Sequence, residues 1–315
     1  MMKIDYTQKK SIRGAFGEEL AELGNTNTNI VALDADLSGS TQTSLFAKAH
    51  PERFFDVGIA EQDLITTALG LSLTGKIPFA ATFAVFATGR AYDQIRNSIC
   101  YQKANVKIVG AHGGITVGED GASHQALEDV SLMRGLPNMT VICPGDYEQT
   151  RQAVKFAAEH NGPVYIRLSR NNVPVIYDEN YKFNPTKAEV LKEGRDLTIF
   201  VTGDVLSEAV HAGEILKENG IDAEIINIPV IKPLDTKTIL ESVEKTGYAV
   251  TVEDHSIIGG LGSAVCETVS ESNPHPVLRI GVKDCFGQSG TPSELLKHYG
   301  LDAQGIANRI IEKRK

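Results

Sequence analysis

Apolar positions in this chain come as short runs separated by longer amphipathic stretches, a rhythm that predicts strands alternating with helices. Over 11–23, Ile12, Ala15, Phe16, Leu20 and Leu23 recur at helical spacing, which predicts a helix ended by Gly24 in a left-handed cap. Strand-like runs follow at 30–33, 54–57, 78–82, 106–111, 140–142 and 164–168, with helical patterns over 63–73, 91–101, 125–134 and 146–159. Such alternation predicts a parallel sheet covered by helices on both faces. Between 170 and 194 the periodicity stops, with Pro174, Pro185 and several asparagines, and a linker is expected there. Strand patterns resume at 197–201, 223–228, 249–252 and 277–280, with a helix over 207–219 and closing helices after Thr291. The predicted fold class is therefore α/β with two domains, each a mostly parallel sheet with flanking helices: 1–172, a linker over 173–193, and 194–315. A length of 315 residues suits two cores.

Composition narrows the function classes. Apolar residues make up 42% and charged residues 23%, which is ordinary for a globular chain and argues against disorder. A net charge of −9 argues against nucleic acid as a partner, because neutralising phosphates needs a basic field. No run approaches the ~18 apolar residues of a membrane span, and Met-Met-Lys-Ile-Asp-Tyr lacks the apolar core of a secretion signal, so a cytoplasmic location is expected. Cys100, Cys143, Cys266 and Cys285 are far apart, which predicts neither a zinc site nor a disulfide framework. They read as small core residues.

In open α/β sheets the chemistry lies at the carboxyl ends of the strands. The residues predicted there are Asp34, Asp36, Ser38 and Ser40; Glu61; Phe83 and Phe86; His112, Asp120 and His124; and Arg167 and Arg170. Glu61 lies in Gly-Ile-Ala-Glu-Gln-Asp, where Val57, Ile59, Leu64 and Ile65 are expected to shelter it from water. A sheltered carboxyl with no basic neighbour in sequence needs a specific partner or stays protonated, although a helix dipole also stabilises a carboxylate at that position. The segment 110–125 is glycine-rich and carries two histidines and two acids; it lacks the Lys-Ser/Thr of a Walker loop. Its spacing neither excludes nor supports a metal site, and hydrogen bonding to a sugar or carbonyl is the more economical use. Gly259-Gly260-Leu261-Gly262 has the look of a dinucleotide turn but lacks the third glycine, and close packing of a helix on a sheet explains it equally well.

Four motifs in order, Gly-Ile-Ala-Glu-Gln, Thr-Phe-Ala-Val-Phe, His-Gly-Gly-Ile-Thr-Val-Gly-Glu-Asp-Gly-Ala-Ser-His-Gln and Arg-Leu-Ser-Arg, give the chain a clear resemblance to the C-terminal half of transketolases. The resemblance covers essentially the whole chain and implies a pyrimidine-binding domain followed by a transketolase C-terminal domain. It also implies thiamine diphosphate as cofactor. The Gly-Asp-Gly motif that binds the cofactor's Mg²⁺ in the family is nowhere in the sequence. The Mg²⁺ ligands are therefore expected from a separate diphosphate-binding N-terminal subunit, with none in this chain, in a heterotetramer with two copies of each. The implied reaction moves a two-carbon ketol unit from a ketose phosphate to an aldose phosphate.

Residue by residue, the resemblance implies that Glu61 hydrogen-bonds the aminopyrimidine ring nitrogen, that Phe83 and Phe86 wall that ring, and that Asp36 contacts the cofactor across the subunit interface. Arg13, Ser40, His112 and Arg170 match sugar-phosphate positions. Asp120 matches the position that reads the donor's hydroxyl configuration. His124 matches a proton-transfer position. One residue near Gly89 is inserted relative to the animal-type pattern, which leaves the role of Arg90 open. Rival readings are a 1-deoxy-D-xylulose-5-phosphate synthase-like subunit, which favours Ala-Asp-Gly where this chain has Glu119-Asp120-Gly121, a 2-oxoacid dehydrogenase beta-like subunit, and a non-catalytic partner subunit.

Overall fold

The computed structural model describes residues 4–314. In chain order the first unit contains β1 (Lys9–Ser11), α1 (Ile12–Thr26), β2 (Ile30–Asp34), α2 (Ser38–Thr41), α3 (Ser44–Ala49), β3 (Phe54–Asp56), α4 (Glu61–Leu73), β4 (Ile77–Phe83) and β5 (Lys107–Ala111). It continues through α5 (Asp129–Arg134), β6 (Thr140–Ile142), α6 (Tyr147–Glu159), β7 (Val164–Arg167) and β8 (Asn172–Pro174). The second unit runs through β9 (Glu189–Lys192), β10 (Leu197–Val201), α7 (Leu206–Glu218), β11 (Ala223–Asn227), β12 (Val230–Lys232) and α8 (Thr236–Thr246). It closes with β13 (Ala249–Ser256), α9 (Leu261–Ser272), β14 (Val277–Val282), α10 (Pro292–Tyr299) and α11 (Ala303–Arg314).

Among the described residues the first sheet has the order β12-β6-β7-β5-β4-β2-β3 and the second β14-β13-β10-β11-β9. Strands β2 to β7 pair in parallel. Strands covered on both faces are mostly apolar, and β2, β5, β10 and β11 are buried at every position, their few polar members such as Asp34 and Lys107 being hydrogen-bonded. β12 comes from the second unit but pairs antiparallel with β6, so one sheet is completed by the other unit's chain. An apolar cluster likewise crosses the boundary, joining Leu33, Ile65 and Met133 to Phe200, Ile226 and Leu261.

The structure departs from several expectations. Gly24 does not end the first helix. α1 continues to Thr26, and Gly24 faces the His50 ring so closely that a Cβ would overlap it. The helix expected over 91–101 is π-helical, in two pieces, Phe86–Arg90 and Gln94–Cys100. A π turn accommodates one more residue than an α turn, and the first of these turns contains Gly89 and Arg90. The aperiodic stretch contains two strands, β8 paired with β1 and β9 paired antiparallel with β11. Of the four cysteines, Cys100 and Cys143 are buried, whereas Cys266 is partly and Cys285 fully exposed and neither is a core residue.

One carboxylate ties the connecting segment to the first unit. Asp146, fully buried, caps α6 by accepting from the Gln149 amide at 2.8 Å, and its other oxygen accepts from the Ile176 and Tyr177 amides, both at 2.8 Å. Asp146→Ala should lower unfolding free energy by about 3–5 kcal/mol, the loss of a cap plus two buried amides left unpaired. A shift of the urea midpoint to lower concentration checks it.

Candidate active site

Because β2, β3, β4, β5 and β7 run the same way, their carboxyl ends open on one rim. Glu61, the first residue of α4, sits there with 1% of its surface exposed. Leu64 and Ile65, expected to shelter it, are themselves fully buried. Ile59 does not shelter it, being 75% exposed, and Val57 is only half-buried, because the turn before α4 points them outward. The specific partner that a buried carboxylate requires is Arg90. Its Nη1 donates to Glu61 Oε1 at 3.0 Å and Oε2 at 2.9 Å, and its guanidinium lies 4.6 Å from the centre of the Phe86 ring.

The aromatic groups form a connected wall. Phe83 and Phe86 are nearly parallel, with ring centres 5.9 Å apart. His112 stacks on Phe83 at 3.8 Å, and His124 meets Phe83 and Phe86 edge-on at 6.1 and 5.5 Å. Ser123 Oγ and His124 Nδ1 are 2.9 Å apart. Burial, with Arg13, Arg170 and His124 adding positive charge nearby, pushes the His112 imidazole down to about 3, so it is neutral near pH 7. Its buried Nδ1 has no hydrogen-bond partner.

Arg13, Ser40 and Arg170 also meet. Arg13 donates from Nη1 to the Ser40 carbonyl and from Nη2 to the Arg170 carbonyl at 3.2 Å, while its buried Nε has no partner. Arg170 donates to the Val117 carbonyl and, at 2.9 Å, to Glu119. Burial, then repulsion from Arg170, lowers the Arg13 pKa. Arg13 and Arg170, the latter paired with Glu119, thus place positive charge beside a neutral histidine, with an Arg13 N–H that has no partner among the described residues.

Other residues expected at the strand exits are less connected to the cluster, and some are structural. Asp36 and Asp120 are exposed and make no hydrogen bond or ion pair to the cluster. Asp34 is internal, accepting from the Leu37 amide at 2.6 Å and from the hydroxyls of Thr41 and Thr43 at 2.6 and 2.8 Å. Arg167 is buried against Asp129, Nε to Oδ2 at 3.0 Å.

The residue pattern left Arg90 unassigned and gave no role to Glu253 or Asp254. The signal for the last two was present, since Glu253, Asp254 and His255 are three successive ionisable residues inside β13, a strand that is buried over most of its length. Glu253 also decides the reading of the Gly259–Gly262 turn. Its oxygens accept from the Leu261 and Gly262 amides at 2.7 and 2.8 Å, at the N-terminus of α9 where a dinucleotide's pyrophosphate would bind. A Cβ at Gly260 would overlap Glu253, so the glycine makes room for the chain's own carboxylate.

Comparison with known proteins agrees with this architecture. Residues 8–175 match the family model "Transketolase, pyrimidine binding domain" and residues 186–306 match "Transketolase, C-terminal domain". The chain is 54% identical, over 97% of each chain, to a putative transketolase C-terminal section of Methanocaldococcus jannaschii. It is 43% identical, over 96% of this chain and 95% of the relative, to a 6-deoxy-6-sulfo-D-fructose transketolase subunit of Clostridium sp. (strain MSTE9). Among solved structures it resembles a split-gene transketolase described as an inactive beta4 tetramer, with a TM-score of 0.90 and 53% identity over 96% of this chain and 97% of that one. Joined to the buried carboxylate, the aromatic wall and the parallel-sheet rim, these matches establish that the chain belongs to the transketolase family and carries its pyrimidine-binding and C-terminal domains.

Proposed function

We propose that this chain is the C-terminal subunit of a split transketolase, which moves a two-carbon ketol unit from a ketose phosphate to an aldose phosphate only when joined to a diphosphate-binding subunit, as two copies of each. The observation that carries this reading is the half-built pocket: a buried Glu61 and the parallel Phe83 and Phe86 rings on an open rim, in a sequence without Gly-Asp-Gly. Beside it, Ile59 is 75% and Phe55 39% exposed, apolar surface of the kind a permanent partner covers. A related chain that forms an inactive tetramer is consistent with a half-pocket that cannot work alone.

The residues present fit the pyrimidine end of thiamine diphosphate, the family's cofactor, with a buried carboxylate for a ring nitrogen and flat aromatic faces for the ring. When bound, the cofactor supplies the carbanion stabilisation that lets a ketose carbon–carbon bond break. Glu61 holds and shares a proton at the pyrimidine ring nitrogen, away from water. Phe83 and Phe86 orient the ring. Asp36 meets the cofactor from the exposed margin of the rim, where the other subunit docks. Arg13 and Arg170, with Ser40 and a neutral His112, hold the sugar phosphate. His124, edge-on to both phenyl rings, is placed to move a proton at the sugar's hydroxyl or carbonyl, and Asp120 reads the sugar's hydroxyl configuration. The Mg²⁺ ligands come from the partner.

The test is to combine the chain with the product of a neighbouring diphosphate-domain gene and assay ketol transfer with thiamine diphosphate and Mg²⁺. Activity should appear only in the mixture and fall about 10²–10⁴-fold in Glu61→Ala. Unchanged turnover in that variant rejects the mechanism. Because Arg90 occupies both Glu61 oxygens, a ring nitrogen reaches Glu61 only when the guanidinium turns aside. Arg90→Ala should therefore tighten cofactor binding in the mixture, by up to about fivefold for a half-exposed pair, as read by a cofactor titration. Arg170→Met should raise KM for the ketose phosphate roughly 10–100-fold, the loss of a charged hydrogen bond. With the His112 pKa near 3 its charge does not change between about pH 5 and 8, so His112→Gln should leave the pH dependence of that KM unaltered.

A further inference from the structure

The loop that carries His112, Asp120 and His124 adopts backbone that does not hold itself. His112 has φ 59°, Gly114 84°, Gly118 84° and Gly121 74°, so the chain enters the left-handed region four times in ten residues, once at a residue with a side chain. Such conformations persist only where the surroundings over-determine them. The first unit grips the start of the loop, through the Gly113 amide to the Leu168 carbonyl at 3.1 Å and the Gly114 amide to the Ala126 carbonyl at 2.9 Å, and reaches its middle through Arg170, which donates to the Val117 carbonyl and to Glu119. The first two amides of the 3₁₀ turn Ile115–Asp120 are held from the C-terminal domain.

Its anchor is Asp254 on β13, 1% exposed. Oδ1 accepts from the Ile115 amide at 2.9 Å and Oδ2 from the Thr116 amide at 3.3 Å. A Cβ at Gly114 would overlap Oδ2, so the loop backbone lies directly on the carboxylate. The neighbouring Asp204 accepts from the Thr116 hydroxyl at 2.8 Å. Gln125 Nε2 ties the Ile115 carbonyl, at 3.1 Å, to the Gln288 carbonyl, at 3.0 Å, across the same boundary. Asp254 is itself fixed through its main-chain carbonyl, which accepts from Arg167 Nη2 at 2.7 Å, while Arg167 Nε pairs with Asp129 at 3.0 Å. Two carboxyls and one guanidinium thus face each other out of water, and burial together with the Asp204 charge raises the Asp254 pKa.

We propose that Asp254 is a positioning residue of the transketolase reaction: from the C-terminal domain it sets the shape of the loop that presents His112, Asp120 and His124. The carboxylate touches no substrate. It acts by fixing two backbone amides midway between His112 and Asp120, where among the described residues the loop amides have no other acceptor from the second unit, and reactive groups need placement to better than about 1 Å. This gives the C-terminal domain a part in catalysis although it contributes no side chain to the rim residues described above. The catalytic consequence rests on the ketol-transfer reading; the mechanical one does not.

The experiment compares Asp254→Ala and Asp254→Asn with the unaltered chain by amide hydrogen exchange and then, with the partner subunit, thiamine diphosphate and Mg²⁺ added, by steady-state kinetics. Exchange of peptides spanning 112–121 should rise about tenfold in Asp254→Ala and distinctly less in Asp254→Asn, which keeps one acceptor, while peptides from β10, β11 and α7 are unchanged. In the assembled enzyme kcat should fall about tenfold or more, with partial rescue in the Asn variant and cofactor affinity, governed by Glu61, unmoved. Unchanged loop exchange in Asp254→Ala overturns the proposal, as does a rise shared equally by the whole C-terminal domain in both variants, which would make Asp254 a folding residue only. If the unaltered mixture shows no ketol transfer, the exchange result still decides whether Asp254 holds the loop, and the functional reading fails separately.

Discussion

Parallel pairing is the constraint on which the rest depends. Strands β2 to β7 share one direction, so every loop that leaves a carboxyl end emerges at the same edge, and Arg13 and Arg170, 157 residues apart, come into hydrogen-bond contact there. A parallel sheet is also covered on both faces, which demands apolar residues along its strands. Polar side chains inside the strands are few and individually paired, and the larger polar cluster forms at the strand exits.

Where charge is buried, a specific partner is present. Glu61 is met by Arg90, Asp129 by Arg167, Glu253 by the first amides of α9, and Asp254 by two loop amides. An unpartnered buried charge costs several kcal/mol, so each such pairing is also a constraint on geometry. One of them crosses between the units, where Asp254 on β13 accepts from the loop after β5, and Arg167 on β7 adds a second bond across the boundary by donating to the Asp254 main-chain carbonyl. Together with β12 completing the first sheet, they make the active-site edge a joint construction of both units.

The electrostatics of the rim run opposite to those of the whole chain. The net charge is −9, yet Arg13 and Arg170 lie beside a histidine that stays neutral because they and its burial oppose protonation. The corner therefore combines two cations with an uncharged imidazole on a chain whose overall charge is negative.

The sequence by itself determined the alternation of strands and helices, the parallel class of both sheets and the strand exits where polar residues gather, because periodicities of 2 and 3.6 are imposed locally by the backbone. Phe83, Phe86 and His112 were legible for that reason, each lying on or just beyond a strand end marked by an apolar run, whereas His124 was reached only through the glycine-rich loop motif that carries the family resemblance. The tertiary structure alone decided that Arg90, at the end of a π-helical turn, reaches Glu61 on a different element. It alone decided that Ile59 faces outward, that β12 joins the other unit's sheet, and that Asp254 supports a loop 139 residues away. Those contacts join distant segments, and which distant groups meet depends on how whole layers pack, a property that no local spacing of residues encodes.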